Sequence, residues 1–141
     1  MTTTTAAPVR TGLTWWQAIP LGAVLATAVN LVIYAVARAA DAELVIREEG
    51  AADHEITAGG VVFSSTVPLL AGTALAVLLA LAWRGFLRLA QVLGGGFGIL
   101  SAAGPLLGAP DTGTKVGLAL MHVVVGLAVI LTMELIIRKK S

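Results

Sequence analysis

The residues best suited to chemistry are His122 and a few uncharged polar side chains, Asn30, Ser64, Ser65 and Ser101, set among apolar neighbours. An imidazole binds a ligand or passes a proton through its ring nitrogens, and an amide or hydroxyl beside it orients what it meets. Asn30, Ser64, Ser101 and His122 share one depth, about seven or eight residues inward from the predicted outer helix ends near 38, 57, 108 and 115, or roughly 10–12 Å at the helical rise. Each adjoins small residues: Asn30 with Ala23, Ala26 and Thr27, Ser65 with Pro68 and Gly72, Ser101 with Gly94 and Gly98, His122 with Gly126. Two accounts stay open. In one, these groups hydrogen-bond across helices and set register, each contact contributing about 0.6–2 kcal/mol. In the other, they line a polar pocket in the outer half of a bundle, with His122 facing a ligand.

Other motifs carry less. Asp111-Thr112-Gly113 matches the aspartic-protease tripeptide, but that chemistry needs two aspartates sharing a proton, and only one copy is present. With Pro110 and Gly113 beside it, Asp111 or Thr112 reads as a helix cap. The run Gly94-Gly95-Gly96-Phe97-Gly98 lacks the strand-turn-helix setting of a phosphate cradle and reads as a close-packing helix face. The acidic stretch around His54 has neither the order of a calcium loop nor a His-Glu-x-x-His zinc motif. It reads as a solvated face, with no metal site. Glu134 stands four residues before Arg138, the spacing of a helical ion pair. No cofactor motif is present, and no catalytic residue is assigned.

The elements that must position these groups follow from charge spacing. The chain has 141 residues, 57% hydrophobic and 12% charged, with nine basic and eight acidic side chains and no cysteine. This balance excludes a disordered chain and gives no electrostatic footprint for nucleic acid. Residues 11–37, 56–83, 89–110 and 116–133 contain no Asp, Glu, Lys or Arg. A helix of roughly 20 apolar residues crosses the hydrocarbon layer, and a charge inside it is costly. The expected fold is therefore all-α: a four-helix transmembrane bundle with helices near 15–38, 57–83, 87–108 and 114–137. A flexible cytoplasmic tail would span 1–14 and a basic cytoplasmic tail 138–141. Four soluble core helices of this kind would leave the protein no polar face to show to water.

Arg10, Arg84, Arg88, Arg138, Lys139 and Lys140 all fall on one side of this four-span arrangement, with Trp15, Trp16 and Trp83. The positive-inside rule and the aromatic belt then place both termini in the cytoplasm of a plasma (inner) membrane. A signal peptide ending near Ala37-Arg38-Ala39 fits less well, because the uncharged run is too long and is broken by Pro20, Thr27 and Asn30. The short 84–88 link makes the second and third helices expected antiparallel neighbours. In the 38–56 outer loop, Leu44-Val45-Ile46 and His54 to Thr57 flank a turn containing Gly50, a pattern that allows a short hairpin over the bundle mouth.

This pattern resembles a family of small, actinobacterial-type four-span membrane proteins known as a domain of unknown function. The resemblance runs over roughly residues 15–137. It rests on the Thr-rich start, the outer loop, Ser101 to Pro105 as Ser-Ala-Ala-Gly-Pro, and Leu120-Met121-His122 opening the last helix. It implies the four-span fold and lends no activity. The expected role is an accessory or ligand-binding membrane component, partnered by the lipid bilayer and by its own copies or a larger membrane complex. One alternative is a homo-oligomeric transporter of ions or small molecules. Another is a membrane enzyme using His122 as acid or base, which is disfavoured because no second ionisable group lies at its depth.

Overall fold

The computed structural model describes residues 12–47 and 52–140. Four helical spans, each long and apolar enough to cross a membrane, make up the protein. Span one is α1 (Trp15–Ala39), followed by the strands β1 (Val45–Ile46) and β2 (His54–Glu55) and then by α2 (Ala58–Leu79). Span three is divided into α3 (Phe86–Leu100) and α4 (Ala103–Gly108), and span four is α5 (Thr112–Lys140). The even number of spans brings both ends of the described chain, with Trp83, Arg84 and Arg88, to one end of the bundle, the basic end. The strands lie at the other, the hairpin end.

The starts of α1, α2 and α5 have local causes. Before α1, the Thr14 N–H and hydroxyl both donate to Gln17 Oε1, at 3.3 and 2.6 Å, and Leu13 N–H donates to Leu135 O on α5 at 3.1 Å. Thr57 Oγ1 accepts from Gly60 N at 3.1 Å and caps α2. Asp111 caps α5, accepting from Thr114 N at 2.9 Å. The bonds from Gly60 and Thr114 satisfy first-turn donors that have no partner within the helix, whereas those at Thr14 and Leu13 fix the chain entering α1.

The break in span three follows from Pro105. Proline has no N–H to donate to the Ser101 carbonyl, and its ring crowds that group. Gly104 N reaches back to Ser101 O instead, and Ala102 N takes Ile99 O, both at 3.1 Å. The Gly98 carbonyl, which Ala102 would bond in an unbroken α-helix, accepts the Ser101 hydroxyl at 2.7 Å.

On α1 most inward residues are small and most of the large ones face outward. Ala18, Ala23, Ala26 and Ala37 are buried, whereas Val24, Val32 and Val36 are exposed. In water this would be inverted. Lipid chains are as apolar as valine, so helices associate by close backbone approach, and small side chains permit it. The packed residues form three layers. Ala18, Ile19, Ala76, Val77, Ala80, Leu87, Met133 and Ile136 fill the basic end. Ala23, Ala26 and Leu69, with Val124, Ala128 and Val129 against them, fill the middle. Tyr34, Ala37, Leu44, Ile56, Val61, Leu118 and Met121 fill the hairpin end.

The second and third helices are in contact, as expected, but the third span has its main partner elsewhere. α1 packs against α2 and α5, and α3 and α4 pack along α5. α2 and α3 are not packed along their lengths but meet through Ala80 and Leu87 in the layer at the basic end. The short link brings their ends together; the glycines of α3 then decide its partner. A Cβ on Gly98 would lie 2.7 Å from Gly126 Cα, and one on Gly126 would lie 2.8 Å from Gly95 O. Only backbones bare of side chains come this close, so α3 is drawn to α5.

The loop between α1 and α2 does form a hairpin. β1 and β2 pair antiparallel, Val45 opposite Glu55 and Ile46 opposite His54. The Gly50 turn between them lies outside the described residues. Arg47 bridges Glu43 at 2.6 Å and Asp53 at 3.3 Å, so part of the acidic stretch is neutralised within it.

Candidate functional site

The polar residues fall into separate environments. Asn30 is 1% exposed, and its Nδ2 donates to Ser65 Oγ at 2.8 Å and to the Met121 carbonyl at 3.3 Å. One amide therefore ties α1, α2 and α5 together, with Ala23 and Ala26 buried on the same face of α1. Its Oδ1 is the one buried side-chain N or O atom without a hydrogen-bond partner among the described residues. One turn deeper, the hydroxyls of Thr27 and Thr66 share a hydrogen bond of 2.8 Å between α1 and α2. That pair lies in a shallow, open groove of about 370 Å3 otherwise lined by apolar residues such as Pro20, Val24, Leu31 and Leu70.

Ser64, Ser101 and His122 do not join Asn30 and Ser65. Ser64 is exposed on α2, its hydroxyl 3.4 Å from Val61 O in its own helix. Ser101 closes the broken turn at Pro105. The small residues flanking Ser65 also differ from the expected pair: Gly72 faces open space, and the buried stripe of α2 runs through Val61, Ser65, Leu69 and Thr73.

His122 Nδ1 lies 2.8 Å from Leu118 O one turn earlier on α5. A carbonyl only accepts, so Nδ1 carries the proton and Nε2 of the neutral ring presents a lone pair. Nε2 has no partner among the described residues, and the side chain is half-buried. Two helical turns away on the same stripe of α5, Val129 packs against the layer containing Leu69 of α2 and touches the position of Gly94 on α3. The imidazole occupies the corresponding angle of α5 nearer the hairpin end.

Two further polar constellations were not among the candidates. Buried Gln91 on α3 donates through Nε2 to Ile130 O at 3.0 Å and to Glu134 Oε2 at 3.2 Å, while its Oε1 accepts from Arg88 at 2.8 Å. Glu134 also accepts from Arg88 at 2.6 Å and from Arg138 at 2.9 Å. The Glu134–Arg138 pair was legible from its spacing. Gln91 was not, because a search for charges passes over an amide; the three-residue step from Arg88 was the available signal. At the hairpin end, buried Thr114 accepts from Leu44 N at 2.8 Å and donates to Asp111 Oδ2 at 2.5 Å. Leu44 holds φ of 52°, a left-handed conformation unusual for a residue with a side chain, and this bond helps to secure it. The Thr114 hydroxyl and N–H hold the Asp111 carboxyl below its ordinary pKa, because both bonds favour the charged form.

A family model described as a family of unknown function, DUF6069, matches residues 10–138. The chain belongs to this family. In this DUF6069 member the match takes in all four spans, the hairpin, the Asn30 junction and His122. No curated protein and no solved structure matches it.

Proposed function

We propose that this chain is a membrane-embedded binding component that takes up an apolar ligand carrying a hydrogen-bond donor, such as a hydroxyl, sideways from the lipid phase. The carrying observation is the half-buried His122 ring, whose Nδ1 is committed to Leu118 O and whose Nε2 is left as an acceptor. Inside a bilayer such a lone pair has no water to turn to, so a donor arriving on a lipid-phase molecule gains a strong incentive to bind. The break in the third span at Ser101 supports an opening beside it. Function as an accessory subunit is compatible with the same face, which a partner helix would then cover.

In this reading the protein sits in the plasma (inner) membrane with both termini cytoplasmic. Arg84, Arg88, Arg138 and Lys139 gather with Trp15, Trp16 and Trp83 at one end, while Asp41, Glu43, Asp53 and Glu55 lie at the other. That asymmetry is the one the positive-inside rule describes.

The test is photolabelling with a diazirine-bearing long-chain alcohol in nanodiscs. Label is expected in the 118–126 segment of α5 and lost in His122→Phe, which keeps a ring but removes the acceptor. Thermal unfolding should hardly change, since the ring's bond lies within its own helix. Equal labelling of wild type and His122→Phe refutes the reading.

A further inference from the structure

We propose that the basic end carries a built site for the phosphate headgroup of an anionic phospholipid, centred on the Arg88–Glu134–Arg138 bridge between α3 and α5. Arg88 NH1 binds Glu134 Oε2 at 2.6 Å and Arg138 Nε binds Oε1 at 2.9 Å. Two guanidinium groups from different spans are thus held against the two oxygens of a single carboxylate. Gln91 fixes that carboxylate from below through Nε2 at 3.2 Å and accepts from Arg88 as well, so the arrangement is braced on three sides.

One carboxylate neutralises one of the two cations. Each guanidinium spends part of its fork on Glu134, and apart from the Arg88–Gln91 bond its remaining N–H groups make no hydrogen bond in the protein among the described residues. A phosphate diester supplies what is missing: one negative charge and oxygens spaced for bidentate guanidinium bonds. Both arginine side chains are 59% exposed, so the free edges are accessible. Arg84 and Lys139 add positive charge nearby without any ion pair among the described residues.

Depth points to a lipid as the source of the phosphate. Exposed Trp15, Trp16 and Trp83 mark the same end, and indole rings settle at the level of the headgroups. A bridge between two spans at that level faces the phosphate layer sideways, as basic pockets between transmembrane helices do. General attraction between basic residues and an anionic leaflet would not need a brace; here the brace holds like charges together in a geometry that an anion completes.

The experiment compares phosphatidylglycerol with phosphatidylcholine on the purified full chain, by native mass spectrometry of retained lipid and by thermal shift in mixed micelles. Wild type should retain phosphatidylglycerol preferentially. Arg88→Gln and Arg138→Gln should each lose roughly tenfold in affinity, and Arg84→Gln and Lys139→Gln only about twofold, against about fivefold for every basic residue if only diffuse charge mattered. Glu134→Gln gives opposite signs for the two ideas. It raises the net positive charge, so diffuse attraction predicts tighter binding, whereas release of the two guanidinium groups from their brace predicts weaker binding. Should Glu134→Gln fail to fold, Arg138→Lys keeps the charge but not the fork and should still lose binding. Equal retention of the two lipids, equal losses at all four cations, or tighter binding by Glu134→Gln overturns the proposal. Inorganic phosphate in excess should leave the lipid bound; displacement by phosphate assigns the site to a free anion and overturns it too.

Discussion

Replacing Gly126 with alanine tests the packing of the third span on the fourth. A Cβ there would stand 2.8 Å from Gly95 O and 2.9 Å from Ile99 N, both backbone atoms of α3 that no rotamer change can move. The helices must part, and overpacking of this kind costs typically about 1–3 kcal/mol. Against that, alanine is about 1 kcal/mol more favourable than glycine inside a helix. The net expectation is a destabilisation of about 0–2 kcal/mol. The control is Gly96→Ala one helical residue from the contact, where a Cβ meets nothing within 4 Å and the helical gain stands alone. The two variants should therefore differ by about 1–3 kcal/mol, with Gly96→Ala above wild type. Thermal unfolding in one detergent, followed by tryptophan emission and by retention of a monodisperse peak, reads this as a gap of several degrees. If Gly126→Ala melts with or above Gly96→Ala, close approach of α3 and α5 is not what holds the third span.

Asn30→Ala should cost about 1–3 kcal/mol, since it removes bonds to Ser65 and Met121 across three spans, each contributing about 0.6–1.7 kcal/mol, and leaves a small void. Ser65→Ala should cost less, and a double-mutant cycle in detergent unfolding should show coupling between them; strict additivity contradicts the junction. The depressed pKa of Asp111 gives a pH dependence: its contribution to docking the hairpin end is complete above the unfolded carboxylate pKa and is lost as pH falls through the lower folded value. Amide exchange at Leu44, whose N–H rests on Thr114, should accelerate over that acidic range in wild type, and Asp111→Asn should flatten the response.

The number of spans was readable because ionisable residues are so costly in hydrocarbon that their absence over 11–37, 56–83, 89–110 and 116–133 marks each crossing. The hairpin was readable from turn chemistry between two β-prone stretches. Which helices touch was not, since apolar side chains cover every face of a span and the lipid rewards none of them over another. The partner of α3 was set instead by where bare backbone meets bare backbone, at Gly95, Gly98 and Gly126. The polar residues were identifiable by type, but a common depth fixes only one of the coordinates two side chains need in order to meet. Asn30 and Ser65 also share an angle about the bundle; Ser101 turns to the carbonyl freed near Pro105, and His122 to Leu118.

The division of partners among the spans also has a bearing on biogenesis. α1 and α2 are neighbours in both sequence and space, so they can pair as soon as the ribosome has delivered them. The third span has its main surface on a helix not yet made, and Leu44 waits for Thr114, 70 residues further on. Arrival of the last span thus seats the third crossing and locks the hairpin in a single event, which makes α5 the part on which quality control of the whole protein turns.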